Sequence, residues 1–382
     1  MKVPFFDTQR SVDALMPILE LELDEMFQQQ TLVNGVQVRR LEQAICEYTG
    51  ARYAIATGNA TDSLIISLMA AGIGPGDEVI VPCYSFFASL SCILHVGATP
   101  VFVDVEAGSY TIDATLIEAK ITPRTRAIMP VHLFRQMADM TSILEIAARH
   151  HILVLEDSAE GIGMRYDGCH AGLLGAIGVL SFFPTKTLGA LGDAGMILTD
   201  DEHYALRARR IADNGRDGHG VAQLIGFNSR MDDLQALWLR LRIPSLAQEI
   251  VWRAHCVALY EGGLADLVPS VRVPQIFVRP APQTTVDYAY LIEVDHRDEL
   301  ASYLAERDIG TEVYYPLPLH MQPCCRHLGY HLGDFPVAEA ASRRALGLPM
   351  YSDLTEAHIT MVCAAITEFF SEQAARPRTL FT

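Results

Sequence analysis

Residues 179–195 read VLSFFPTKTLGALGDAG, and they contain the lysine on which the interpretation of the chain depends. A β-type apolar run at 179–183 meets a proline, and Lys186 follows on the turn behind it. A lysine at the end of a buried strand is held in place and partly desolvated, which suits a nucleophile or a Schiff-base amine. A surface loop would explain the same stretch, so other parts of the chain must supply the rest of a site.

The composition is that of a globular protein with room for two or so domains. Half of the 382 residues are apolar and a fifth are charged. The formal net charge of −17 argues against nucleic acid or an acidic membrane as the main partner. The cysteines lack metal-site spacing, so we expect no metal and free thiols in a reducing cytoplasm. We find no signal peptide or membrane-length apolar run and expect no membrane association.

Short β-type runs alternate with helical stretches between residues 53 and 199. This alternation predicts βαβ units and an α/β fold in which a mostly parallel sheet is flanked by helices. In such sheets ligands bind at the carboxyl ends of the strands. The segments around Thr61, Phe86, Asp157 and Lys186 are all expected at that edge.

The pattern changes after residue 245. Connectors rich in Gly and Pro, three further helices and a predicted strand pair at 288–294 and 310–315 follow a long helical stretch. We therefore predict an N-terminal arm and a large domain in residues 1–245, and a smaller C-terminal α+β domain in residues 246–382.

Residues 58–62, GNATD, lie between a predicted strand and a predicted helix. Backbone amides at the start of that helix would hold an anion, and the helix dipole favours a phosphate. An ordinary capped loop is the structural alternative. The segment is not a GxGxxG fingerprint, which counts against a nicotinamide-dependent dehydrogenase, another interpretation of the βαβ pattern.

Three more residues at the expected edge suit specific chemistry. Asp157 ends a strongly apolar strand, where a carboxylate can hold a pyridinium nitrogen protonated. Ser181 can donate to the same phosphate, and Phe86 can stack on a planar ring. Each also has a structural interpretation, as a loop cap, a strand serine or a core aromatic. Together with Lys186 and the phosphate-type loop, these residues fit pyridoxal 5′-phosphate (PLP).

Motifs that carry a family resemblance run along nearly the whole chain. They include VPFFD at 3–7, NATDSL at 59–64, GPGDEV at 74–79, SFFPTKTLG at 181–189, GFNSRMD at 226–232 and YPLPLH at 315–320. In this number and order they resemble the DegT/StrS family of sugar aminotransferases, which are fold-type I PLP enzymes. The resemblance implies a large PLP-binding domain and a smaller C-terminal domain.

The resemblance also implies roles for individual residues. Lys186 would form the Schiff base with PLP and then move the proton, and Asp157 would pair with the pyridine nitrogen. Phe86 would stack on the cofactor ring. Arg230 and His320 would contact the substrate.

The cofactor phosphate would be shared between two subunits. Ala60, Thr61 and Ser181 of one subunit would hold it, and Asn228 would reach it from the other. The resemblance therefore implies a homodimer with a shared active site.

Four residues depart from the commoner family pattern. Glu160 stands where Gln is usual beside the phenolic oxygen of PLP, and a carboxylate beside a phenolate is repulsive unless one of them carries a proton. Glu160 is then either protonated or turned away. Ile162 and Tyr288 each replace a frequent His. Arg135 replaces a frequent Gly and would bring positive charge toward an anionic substrate.

The implied activity is PLP-dependent transamination of a keto group at C3 or C4 of a nucleotide-linked deoxysugar, such as a dTDP sugar, with Glu or Gln as amino donor. The amino sugar would serve a natural product such as an antibiotic, or a surface glycan. Lys186 argues against the family branch that has histidine there and dehydrates sugars. The alternatives are an amino-cyclitol ketone of the scyllo-inosose type as substrate, or a PLP-binding regulatory protein.

Overall fold

The structure, a computed structural model, describes residues 2–375, so residues 376–382 of the predicted C-terminal domain lie outside the described residues. The helices are α1 Gln9–Gln29, α2 Val36–Thr49, α3 Ala60–Ala70, α4 Ala88–His95, α5 Met140–His150, α6 Glu202–Ala212, α7 Asp233–Arg242, α8 Leu246–Leu264, α9 Arg297–Ala305, α10 Pro336–Arg344 and α11 Glu356–Ala375. Along the described chain, no helix combines the length and apolar character needed to cross a membrane.

The strands alternate with these helices in the first half of the chain. They are β1 Tyr53–Thr57, β2 Glu78–Pro82, β3 Thr99–Val103, β4 Thr125–Ile128, β5 Leu153–Asp157, β6 Arg165–Tyr166, β7 Cys169–His170, β8 Ile177–Ser181, β9 Gly195–Thr199, β10 Gln283–Thr284, β11 Tyr290–Glu293 and β12 Ala345–Leu348. The apolar run at 179–183 is thus a strand only as far as Ser181, and Phe182 and Phe183 already belong to the turn that carries Lys186.

A seven-stranded sheet in the order β1-β9-β8-β5-β4-β2-β3 forms the centre of the molecule. Strand β9 is antiparallel to both of its neighbours, β1 and β8, and the other neighbours pair in parallel. Side chains alternate between the two faces of the sheet along each strand, and both faces are apolar, so helices cover both of them. Val79 and Val81 pack in one apolar cluster with α3 and α4, whereas Ile80 packs with α5 on the opposite face. The predicted α/β class is confirmed.

A second, smaller core follows the start of α8 at Leu246. Its two-stranded sheet pairs β11 with β12, so the predicted pairing of 288–294 with 310–315 was wrong. Residues 310–315 instead contact the N-terminal arm, since Gly310 N–H donates a hydrogen bond to the Val3 carbonyl at 2.8 Å. Val3 is fully buried in this smaller core. The N-terminal arm, which we grouped with the large domain, therefore packs on the C-terminal one.

The segment between β5 and β8, which includes β6 and β7, carries the residues that follow Asp157. Buried His170 in β7 stabilises this segment. His170 Nε2 accepts a hydrogen bond from Gly163 N–H at 2.9 Å, while Nδ1 donates to the Ala171 carbonyl at 2.6 Å. One ring nitrogen thus accepts and the other donates, which requires the neutral imidazole. Burial lowers the pKa of His170 to about 4.

We expect acidification to destabilise the fold through His170. Its pKa in the folded chain lies below the ordinary value of 6.5, so its contribution is complete above pH 6.5 and is lost as the pH falls toward about 4. The loss from this group amounts to at most about 3 kcal/mol. Urea unfolding of wild type and His170→Gln should give free energies that converge as the pH falls. A difference that does not change with pH would contradict this, and exposed His203→Gln is the control.

Candidate active site

A cavity of about 950 Å³ lies at the carboxyl end of the parallel strands. Strand β5 ends at Asp157 and β8 ends at Ser181, and both residues line the cavity. The structure brings most of the predicted site residues together there: Ala60, Thr61, Phe86, Asp157, Glu160, Ser181 and Lys186. The order of the strands, rather than closeness in sequence, makes them neighbours.

Lys186 is presented by the tight turn that follows β8. Its backbone N–H donates to the Phe183 carbonyl at 2.8 Å. Its Nζ lies 3.0 Å from Glu160 Oε1 and 4.1 Å from the centre of the Tyr288 ring. Burial lowers the pKa of the Lys186 amine, but the charge of Glu160, followed by Tyr288, outweighs burial and raises the pKa above its ordinary value. The amine is therefore fixed, charged and largely desolvated.

Asp157 is a buried carboxylate whose orientation is set by two donors. Ser89 Oγ donates to Oδ2 at 2.7 Å, and the Ala159 N–H donates to Oδ1 at 3.2 Å. Burial raises the pKa of Asp157, and these hydrogen bonds oppose the effect. A carboxylate in this state gains from a cationic partner in the cavity, such as a protonated ring nitrogen.

The start of α3 offers free donors to the cavity. Asn59 caps the helix by accepting a hydrogen bond from Asp62 N–H at 2.8 Å. The N–H groups of Ala60 and Thr61, in the first turn, have no acceptor in the described part of the chain. Ser181 Oγ accepts from Phe183 N–H at 3.3 Å and keeps its own proton to donate. This donor set fits a phosphate group.

Strand β9 passes close behind these donors because it begins with a glycine. A Cβ at Gly195 would lie 2.5 Å from the Asn59 carbonyl carbon and 2.7 Å from Ala60 N. Any larger residue would push the first turn of α3 out of place. Free amides, a desolvated lysine and a buried carboxylate around one cavity fit PLP, whose phosphate, aldehyde carbon and ring nitrogen need these three partners.

Asn228 and Arg230 do not line the cavity of their own chain. Both lie near the surface, and Asn228 Oδ1 accepts from Arg230 Nε at 3.0 Å. Arg230 Nη1 also lies 3.3 Å from Asp213. The contact of Asn228 with the phosphate of another subunit and the contact of Arg230 with the substrate both stay predictions.

His320 lies behind the cavity wall rather than in it. It is fully buried, its Nε2 is 3.2 Å from Glu339, and its ring packs 4.7 Å from that of Phe335. Its neighbour Leu319 lines the cavity instead. The His320 side chain therefore does not face the cavity, and its predicted contact with the substrate stays a prediction.

Arg135 also differs from the sequence-based expectation. Its Nε lies 2.6 Å from Asp287, and its Nη1 lies 3.3 Å from Glu261. Two carboxylates thus neutralise the guanidinium, and Arg135 is not among the residues that line the cavity. Its charge does not reach an anionic substrate there.

An aromatic wall is the main feature that the sequence analysis missed. Tyr288, Tyr314 and Tyr315 line the cavity together with Phe86, which is 62% exposed. The ring of Tyr315 stacks on Phe134 with centroids 6.0 Å apart. The YPLPLH motif contained one of these tyrosines, but nothing in its spacing indicated which way the ring points. Such a wall suits a planar cofactor and the apolar face of a sugar.

Comparison with known proteins identifies relatives along nearly the whole chain. The family model described as DegT/DnrJ/EryC1/StrS aminotransferase family matches residues 19–367. The chain is 41% identical over 370 residues to the "Pleiotropic regulatory protein" of Geobacillus stearothermophilus, covering 97% of this chain and 99% of the relative. It is 36% identical over 364 residues to the UDP-N-acetyl-3-dehydro-alpha-D-glucosamine 3-aminotransferase of Acidithiobacillus ferrooxidans, covering 95% and 97%.

Solved structures show the same fold. The crystal structure of DesV from S. venezuelae, in complex with a ketimine intermediate, superposes with a TM-score of 0.92 at 34% identity, covering 98% of this chain and 99% of that one. Another solved relative, from Bacillus subtilis, holds the bound cofactor PMP. The predicted cofactor is thereby confirmed as PLP, of which PMP is the aminated form.

We expect Gly195→Ala to weaken cofactor binding. The added methyl group would displace the Ala60 amide, so the apparent Kd for PLP should rise by about tenfold, which corresponds to about 1.4 kcal/mol. Equilibrium dialysis measures this directly. Gly262→Ala is the control, because a Cβ there meets nothing within 4 Å. An unchanged Kd in Gly195→Ala would contradict a phosphate site at the start of α3.

Proposed function

The chain belongs to the DegT/DnrJ/EryC1/StrS aminotransferase family, and we propose that it aminates a keto group at C3 or C4 of a nucleotide-linked deoxysugar. It is a PLP-dependent sugar aminotransferase. The observation that carries the proposal is the convergence of Lys186, Asp157 and the free α3 amides on one cavity. We propose a dTDP sugar as substrate and Glu or Gln as amino donor.

When bound, PLP supplies an electron sink for the charge that develops at the carbon losing a proton. Lys186 would bind the cofactor through Nζ, and once displaced by the incoming amine it would take and return that proton. Asp157 would keep the ring nitrogen protonated. Ala60, Thr61 and Ser181 would hold the phosphate, so the cofactor keeps its orientation while Lys186 is released.

The nucleotide-sugar proposal draws on both the relatives and the cavity. Relatives in the family are named for UDP-, dTDP- and GDP-linked sugars or their amino products. Within the described chain, Lys186 is the one Lys or Arg that lines the cavity, alongside several carboxylates. We infer that the keto sugar enters the aromatic interior, whereas the anionic diphosphate stays near the mouth.

We also propose that the active form is a homodimer with a shared site. Asn228 lies in a segment whose large apolar side chains are exposed, with Val221 at 55% and Ile225 at 87%. An apolar surface of this kind favours coverage by a second copy. Asn228 would then reach the phosphate bound by the other subunit.

A PLP-binding regulatory protein is the second candidate. The names of two relatives, a pleiotropic regulatory protein and a sensory transduction protein, favour it. A binding protein would need the phosphate site but no reactive amine. The desolvated Lys186 beside two carboxylates argues for turnover, so we place the aminotransferase first.

A substrate panel tests the proposed reaction. Purified enzyme with 2-oxoglutarate should deaminate a nucleotide-linked amino sugar, and the carbon that loses its amine identifies the position of transfer. If the enzyme prefers an amino-cyclitol, the proposed nucleotide-sugar substrate is wrong and the alternative cyclitol substrate is correct. Failure with every amino sugar and cyclitol would contradict the proposal.

We expect Lys186→Ala to lower turnover by about a thousandfold or more, because both the covalent link and the proton carrier are removed. The control is Lys120→Ala, which removes an exposed lysine outside the cavity. Turnover is measured with the best substrate of the panel. Near-normal turnover of Lys186→Ala would refute the assignment of this residue.

Mixing two inactive variants tests the shared site. Asn228→Ala should lose PLP and activity, yet a mixture with Lys186→Ala should recover up to about a quarter of wild-type activity. Half of the randomly assembled dimers are mixed, and one of the two sites in each is intact. Full activity in purified monomers, or no recovery from subunits shown to exchange, would contradict the shared site.

A further inference from the structure

Glu160 is the direct partner of the reactive amine. Its Oε1 accepts a hydrogen bond from Lys186 Nζ at 3.0 Å, and it is the one acceptor of Nζ in the described part of the chain. The Glu160 side chain is 5% exposed and that of Lys186 is 14% exposed, so little water screens the contact. The ring face of Tyr288 also lies against Nζ, 4.1 Å from it, which favours a cation.

Glu160 is held in this position by its second oxygen. Oε2 accepts a hydrogen bond from Phe134 N–H at 2.6 Å. Phe134 is itself fixed, because its backbone is in the left-handed region with φ of 58° and its carbonyl accepts from Tyr288 N–H at 2.9 Å. Glu160 therefore faces the site and has not turned away.

The other titratable groups near the pair are committed elsewhere. Both oxygens of Asp157 are held by Ser89 and by the Ala159 N–H. His132 Nδ1 accepts from Ala138 N–H, so its Nε2 donates to Glu156 and the ring is neutral.

The phenols of Tyr314 and Tyr315 supply no charge of their own. Burial raises the pKa of Tyr315 and of Tyr314 far above the ordinary value, so both stay neutral. The hydroxyl of Tyr288 lies 3.2 Å from Thr185 Oγ1. Glu160 is thus the carboxylate in direct contact with Nζ.

We propose that Glu160 is the counter-ion of Lys186 Nζ. Its negative charge keeps Nζ protonated in the free amine and also when Nζ is bonded to the cofactor. The proton stays on nitrogen and is shared along the Nζ–H to Oε1 hydrogen bond, and no bond to carbon changes. A protonated nitrogen makes the attached carbon a better target for the incoming amino donor. The inference rests on the proposed function only in taking Lys186 as the reactive amine.

Replacing Glu160 by Gln separates charge from shape. The amide oxygen still accepts the Phe134 N–H, which places the amide NH2 toward Nζ. The negative charge and the acceptor for the Nζ proton are then both removed while the shape of the side chain is kept. In the PLP-loaded protein, the pH midpoint of the visible absorbance change that accompanies loss of the nitrogen proton should fall by about one to three units. An unchanged midpoint in Glu160→Gln would overturn the counter-ion role, whatever happens to activity.

Two matched variants serve as controls for this test. Glu312→Gln removes an exposed carboxylate that lines the same cavity without contacting Lys186, so its midpoint should match that of wild type. A Glu312→Gln shift as large as that of Glu160→Gln would attribute the effect to general charge and overturn the proposal. Glu160→Asp keeps the charge but retracts it, so a smaller downward shift is expected. If Glu160→Gln does not retain PLP, the Asp variant decides, and an unchanged midpoint there counts against the proposal.

Trapping with borohydride keeps the two proposals distinguishable. Reduction of the PLP-loaded protein, followed by peptide mapping, should place the cofactor on Lys186 in wild type and in Glu160→Gln. Absence of the label from wild-type Lys186 would overturn the proposed function and, with it, the counter-ion role. A label on Lys186 in both proteins with equal absorbance midpoints would overturn the counter-ion role alone.

Discussion

The contact between Lys186 Nζ and Glu160 Oε1, 3.0 Å long and largely shielded from water, is the interaction that the site depends on. An ammonium group placed alone in such a cavity would pay a large desolvation cost and lose its proton. The carboxylate and the Tyr288 ring offset that cost, so the amine stays charged next to the cofactor site. Each partner comes from a different part of the chain, and only the folded sheet edge brings them together.

Close backbone approach is the second constraint. The first turn of α3 can present its amides only because Gly195 lets β9 pass behind it. The phosphate site and the lysine turn therefore belong to one rigid unit, in which β8 and β9 pair antiparallel and β8 ends at Ser181. In the proposed site, this geometry would let the cofactor keep its orientation while its link to Lys186 is exchanged.

Ligands bind at the carboxyl ends of parallel strands, and this rule predicted much of the candidate site from the sequence. Asp157, Ser181 and Lys186 all lie at or after the end of an apolar run whose direction in the sheet could be inferred. Long-range choices could not be predicted in the same way. Nothing local indicated that β11 would pair with β12, or that Arg135 would meet Asp287 and Glu261 rather than a substrate. The direction of the tyrosine rings was equally hidden, since side-chain orientation in a loop depends on packing partners far away in sequence.

The half-reaction with an amino donor tests the central claim most directly. PLP-loaded protein is mixed with L-glutamate in the absence of any keto acceptor, and the bound cofactor is followed by its absorbance. The account predicts conversion of PLP to PMP with release of an equal amount of 2-oxoglutarate. A PLP spectrum that persists with glutamate, glutamine and every other amino donor would contradict it and would leave a protein that binds the cofactor without using it.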